Sequence, residues 1–291
     1  MKGTMIGLPW IIGAGLAFGL GAGEVRRFER SAAADIAAKL QGPNKKVSVR
    51  SQIDIPFGIL TKSVRSATIF AQDFSIDELP LYAEEDRSKE GKLGTLNMRM
   101  KNFRLCGLLV DEMTATIPGC RFDFALAMSK RQIRLSKSGV GVGEVKISEA
   151  ALAEFILKKF PEIKTITVNC DRDYLWLEGF GEFLIIQTHF RVLAKLVSRD
   201  GIRLELTRAR VAFDGLPAEA EVAQTVLDTL NPVVDLNRDL KLQGAIFVKG
   251  VETSNGILRA WGDTKIPKLP VPSRAISQPA PMNILGLSNQ S

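Results

Sequence analysis

From Ile166 to Leu196 the sequence ITVNCDRDYLWLEGFGEFLIIQTHFRVLAKL alternates apolar and polar residues with the period of a β-strand. Asp171-Arg172-Asp173 interrupts it as a hairpin turn. Further on, Phe190, Val192, Ala194 and Leu196 face one way, and Gln187, His189, Arg191 and Lys195 the other. Between Tyr174 and Leu177 both alternating faces are apolar. A strand with one solvated face carries polar residues at every second position. The segment therefore predicts a cover on its second face: a helix, another sheet, or something that is not protein.

The same period marks Val47–Ile55, Leu60–Phe70 and Thr95–Lys101; in the last, Leu96, Met98 and Met100 oppose Thr95, Asn97, Arg99 and Lys101. Phe103 and Leu105 continue it with the phase slipped by one, which predicts a bulge. Phe122, Phe124, Leu126 and Met128 predict another strand, as do the pairs Ile133/Leu135, Val140/Val142 and Val145/Ile147, and Ile202–Phe213. Ala245–Lys249 and Ile257–Trp261 close a hairpin around Ser254-Asn255-Gly256. Tyr82–Gly94 is a charged loop.

Helical spacing is rarer. Val25, Phe28, Ala32, Ile36 and Leu40 form a stripe ending at Gly42-Pro43. Ser148 is placed as an N-cap for a helix with Leu152, Phe155, Ile156 and Phe160 on one side, stopped by Pro161. Val222, Val226 and Leu230 mark one more over Ala218–Leu230. Many strands and few helices, segregated along the chain, predict an α+β fold.

The N-terminus reads differently. Gly3 to Gly23 is 21 residues without a charge, and about 20 helical residues cross the hydrocarbon core. The run exceeds the roughly 7–15 apolar residues of a cleaved signal peptide, so a retained anchor is expected. Gly15, Gly19 and Gly23 make a GxxxG repeat suited to self-association. Arg26, Arg27 and Arg30 follow, as a basic flank for a membrane surface; they weakly favour a cytoplasmic body. The net charge of +7 is concentrated here: residues 1–65 hold ten Lys/Arg against four Asp/Glu, and the remainder nearly balances. A nucleic-acid module would carry its basic stripe on the folded body, with stacking aromatics, so no nucleic-acid partner is expected. The expected organisation is an anchor over 1–23, an amphipathic helix over 24–42, one domain over 43–263 and a Pro-rich tail over 264–291.

Catalytic chemistry is sparse. The single histidine, His189, stands on a polar strand face. Gly139, Gly141 and Gly143 miss the phosphate-loop spacing, because the third glycine would fall at Glu144. Asp171-Arg172-Asp173 matches the short DxD pattern of some metal-dependent glycosyltransferases, a pattern that turns also favour. Cys106, Cys120 and Cys170 have no metal spacing, although Cys106 and Cys120 could meet across a hairpin. No enzyme, cofactor or metal site is expected.

Lys146–Gly179 and Leu230–Asp263 resemble the central and closing segments of the LmeA-type phospholipid-binding family, and GTLNMRMKNFRL fits its early strands. The resemblance implies a bacterial envelope protein in which a long curved antiparallel sheet wraps around one or two amphipathic helices, leaving an apolar groove for acyl chains. The implied partners are a phospholipid or other acyl lipid and the membrane surface. The family supplies no motif residues, so candidate lipid contacts come from apolar patterning: Met98, Met100, Phe122, Phe124, Met128, Phe155, Ile156, Phe160, Trp176 and Phe190. Such stripes serve equally as ordinary core. A membrane-anchored scaffold with a fully packed sheet is the alternative, and a DxD enzyme of lipid or glycan metabolism the next.

Overall fold

The computed structural model describes residues 22–53, 60–130, 132–183 and 186–269. The apolar segment up to residue 21, with Gly15 and Gly19, and the tail from residue 270 lie outside the described residues. Among the described residues no helix is long and apolar enough to cross a membrane.

The protein is predominantly β-sheet and α+β in class, and its sheets do not close. In place of one wrapped sheet it builds two. Helix α1 (Ala22–Lys39) precedes strands β1 (Lys46–Gln52), β2 (Ser63–Ile76), β3 (Gly91–Leu105) and β4 (Leu108–Phe122). Short helix α2 (Phe124–Lys130), β5 (Leu135–Lys137), β6 (Gly141–Ser148) and helix α3 (Glu149–Lys159) follow. Next come β7 (Ile163–Asp171), β8 (Tyr174–Phe183), β9 (Ile186–Arg199), β10 (Arg203–Phe213), β11 (Leu216–Pro217), helix α4 (Ala220–Leu230) and β12 (Val234–Asp235). A last hairpin, β13 (Ile246–Ser254) and β14 (Ile257–Thr264), returns to the first sheet.

The first sheet has the order β1-β2-β3-β4-β6-β14-β13, with β5 beside β4; the second runs β11-β10-β9-β8-β7, with β12 beside β10. β2 and β3 are parallel, which corrects the all-antiparallel expectation: residues 77–90 carry the chain back before β3 starts. Edge strand β13 meets the second sheet at one end of its strands. Ser198 Oγ donates to Val248 O (2.9 Å), Thr253 Oγ1 to Tyr174 O (3.2 Å), and the Gly256 N–H to Cys170 O (3.2 Å). Two sheets therefore meet along a seam, and α3 packs against β4 and β6 of one and β7 of the other.

The phase slip at Phe103 is real, but it is not a bulge confined to β3. Burial passes from Ala71 to Phe74 in β2, from Met98 and Met100 to Phe103 in β3, and from Ala115 to Val110 in β4. All three strands slip at one level, so pairing continues without a register shift. Asp73 and Asn102 take left-handed φ of 57° and 46° there, a region these residue types tolerate, and Asn102 Nδ2 donates to Asp73 Oδ1 at 2.7 Å. The slip separates two buried clusters. One gathers Ala67, Ile69, Leu96, Met98, Ile117 and Phe122 under α1 and α2; the other joins Phe74, Phe103, Leu108, α3, α4 and the inner face of the second sheet.

A second correction concerns Phe122, Phe124, Leu126 and Met128. Only Phe122 is in a strand; the rest lie in α2. Asp123 starts that helix, its Oδ1 accepting the Leu126 N–H at 2.9 Å, and Ala, Leu and Met propagate it. A third concerns the cysteines: Cys106 sits in the β3–β4 turn and Cys120 twelve residues down β4, about 40 Å away by strand rise. All three cysteines are free.

Candidate functional site

The second sheet answers how a doubly apolar strand is covered. Leu175 and Leu177 are fully buried in the cluster that also holds the apolar side of α3, whereas Tyr174 and Trp176 point outward and stay 38% and 39% exposed. Lys195 Nζ sits 5.0 Å over the Tyr174 ring. Trp176 pairs across the ladder with Leu193 and Asn169. No described element covers that outer face.

The predicted lipid contacts do not form one surface. Met98 and Phe122 belong to the cluster under α1 and α2, and Phe124 packs at its margin. Phe155, Ile156, Phe160 and Phe190 belong to the cluster between the sheets, and Met100 touches both. Met128, at the end of α2, is 48% exposed, and Trp176 is on the outer face.

What the sequence reading brings together correctly is α3. Its apolar side, Leu152, Phe155 and Ile156, with Phe160 at the C-cap, fills the angle between the sheets, while Leu157 and Lys158 face out. Ser148 precedes it in extended conformation without a side-chain capping bond. The helix is tied to both sides by charge. Arg104 of β3 grips Glu154 through two hydrogen bonds of 2.9 and 3.0 Å, and Lys158 adds a third at 2.8 Å. These hold the Glu154 carboxyl down to about 2, the Arg104 contact foremost. At the other end Lys159 Nζ donates to Asp239 (2.5 Å) and to the Pro232 carbonyl (2.7 Å). Neither tie is visible in one-dimensional periodicity.

Two of the open depressions in the surface carry charge. One, about 370 Å³, lies on the outer face of the first sheet beside Val142, Glu144, Lys249, Arg259, Trp261 and Asp263. Its charges are matched: Arg259 to Glu144 at 2.7 Å and Lys249 to Asp263 at 2.7 Å. The Arg259 bond holds the Glu144 carboxyl below its usual range. The other, about 540 Å³, is a notch between α1 and edge strand β1, with Arg26, Glu29 and Arg30 on the helix side and Ser48 and Arg50 on the strand side. Among the described residues, no ion pair joins Arg26, Arg30 or Arg50 to an acid. Glu29 is the single acid in the lining, and its Oε1 accepts the Ser51 N–H (2.6 Å) and hydroxyl (2.9 Å). Of the expected basic flank, Arg26 and Arg30 line the notch and Arg27 does not. Arg50 lies outside that flank; its place beside Lys46 and Ser48 in the β1 alternation marks it as an exposed residue of the strand.

The remaining chemistry is plain. Asp171 and Tyr174 flank an exposed two-residue turn, Arg172 and Asp173 having φ of 47° and 69°. Among the described residues, no group of three or more His, Cys, Asp or Glu gathers as for a metal ion. His189 is exposed against Phe180, ring centroids 5.1 Å apart. Burial pushes the Cys170 thiol up to about 12, with Glu149 adding to the shift, so it holds little thiolate for nucleophilic work. No family model, curated protein or solved structure matches this chain.

Proposed function

We propose that the chain is a non-catalytic, membrane-tethered phospholipid-binding protein that holds acyl chains in the apolar space between its two sheets. The observation that supports this is the placement of α3. Two open sheets turn apolar faces toward each other, and one short amphipathic helix, tied by side-chain ion pairs, fills the angle between them. A helix so held is a separable plug. Moving it outward would open a trough including Leu108, Val110, Ile147, Ile163 and Val168, all buried in the same cluster.

The energetics are those of exchange. Each methylene left in water costs about 0.8 kcal/mol, but a tail passing from bilayer to trough leaves one apolar medium for another. The trough therefore has only to exclude water along the path, and a tether keeps it beside its lipid supply. The uncharged Gly3–Gly23 run is the proposed tether.

A second reading, a membrane-anchored scaffold, is favoured by one observation: the interior is filled by the chain's own residues, with Leu175, Ile156 and Phe190 at 0–1% exposure. Native mass spectrometry of the full chain, followed by organic extraction, separates the two. Phospholipid recovered at fixed stoichiometry fits the lipid-binding reading. A bare-chain mass, with no uptake from liposomes, selects the scaffold.

A further inference from the structure

We propose that the notch between α1 and β1 is an anion site that seats the phosphate of an anionic phospholipid headgroup, with Arg26, Arg30 and Arg50 as donors. The inference rests on the membrane-tethered reading and adds to it a headgroup site separate from the acyl-chain interior.

The lining is the first reason. Three arginines from two elements line one hollow, against a single acid already committed to Ser51. Arg30 spends its Nε–H on the Arg26 carbonyl at 3.2 Å, which leaves the terminal amino groups of its planar fork. Forked donors match the oxygen pairs of a phosphate. The other depression has the same kinds of residue but pairs them with each other, so of these two hollows the notch is the one whose arginines are left for a ligand.

Local stability does not account for the cluster. The dipole of α1 favours anions, not cations, toward its N-terminal end. A single cation would discourage pairing at edge strand β1, and α1 already covers that edge through Glu29 and Ser51.

Position is the second reason. The uncharged run ends at Gly23, three residues before Arg26, about 5 Å along a helix. With that run in the bilayer, the notch stands at headgroup depth. Charge complementarity then commits the occupant to an anionic lipid of the same membrane.

The test uses the full chain in nanodiscs of phosphatidylcholine alone or with phosphatidylglycerol, read by backbone hydrogen exchange. Amides of residues 26–33 and 46–51 should exchange more slowly on the anionic discs, and the Arg30→Gln/Arg50→Gln variant should lose that slowing. If the double variant melts lower than the wild type, Arg50→Gln alone carries the comparison. Equal exchange on both discs would overturn the proposal. So would equal slowing by inorganic phosphate on phosphatidylcholine discs, which would make the notch a site for soluble anions. Phospholipid extracted from the variant should stay at the wild-type stoichiometry, so failure of the notch and failure of the interior are read separately.

Discussion

Helices α1 and α3 are both amphipathic and both dock an apolar stripe on the β-structure, but they treat their charges in opposite ways. On α3 the charges that flank the stripe are used: Glu154 binds Arg104 and Lys158, and Lys159 binds Asp239. On α1 Glu29 binds Ser51 and Lys39 the Pro80 carbonyl, while Arg26 and Arg30 line a hollow that Arg50 makes more positive. Charges that face one another within the fold serve its stability. Charges that face a hollow of their own sign do not, and they are where an outside partner is expected.

The comparison is sharpened most by removing apolar bulk from α3. Ile156→Ala should cost about 3 kcal/mol in urea unfolding, since the side chain is 1% exposed between two sheets. Next, Lys159→Met should cost about 2 kcal/mol, because it strips a partly buried ion pair and the donor to the Pro232 carbonyl.

Glu154→Gln should cost about 1 kcal/mol at neutral pH; its pair is over a third exposed, so solvent screening takes most of what the shift implies. The sign follows from a carboxyl held at about 2 against an ordinary 4.5. The folded state favours the ionised form, so the contribution is complete above about pH 4.5 and fades as pH falls through 2. Wild type and variant should therefore converge in acid, as followed by thermal melts across pH. Last, Arg26→Gln, Arg30→Gln and Arg50→Gln should each change stability by less than about 0.5 kcal/mol. A loss as large as that of Lys159→Met would show that the notch is structural and erase the contrast with α3.

Periodicity made much of this fold legible because it reports which face of an element is buried. The Asp171–Asp173 turn, the stripe of α3 and the hairpin at Asn255-Gly256 all fall where the pattern places them. It does not report what lies opposite. The parallel pairing of β2 with β3, the division into two sheets and the separation of Cys106 from Cys120 depend on distant partners. At Phe124–Met128 two periods fit the same letters, and the decisive sign was Asp123 as a cap before good helix formers. The candidate lipid residues are apolar, yet two clusters and exposed positions share them out. The notch depends on α1 laid on β1, a contact between residues some twenty positions apart, such as Glu29 and Ser51.

The most direct test of acyl-chain binding is photocrosslinking of the full chain in nanodiscs with a phospholipid carrying a diazirine near the end of its acyl chain. Crosslinks in peptides covering residues 108–113, 147–160 and 163–177, the walls and plug of the space between the sheets, are predicted. Crosslinks restricted to the N-terminal 40 residues would contradict the account, because they would leave the interior closed and the chain joined to the membrane by its tether alone.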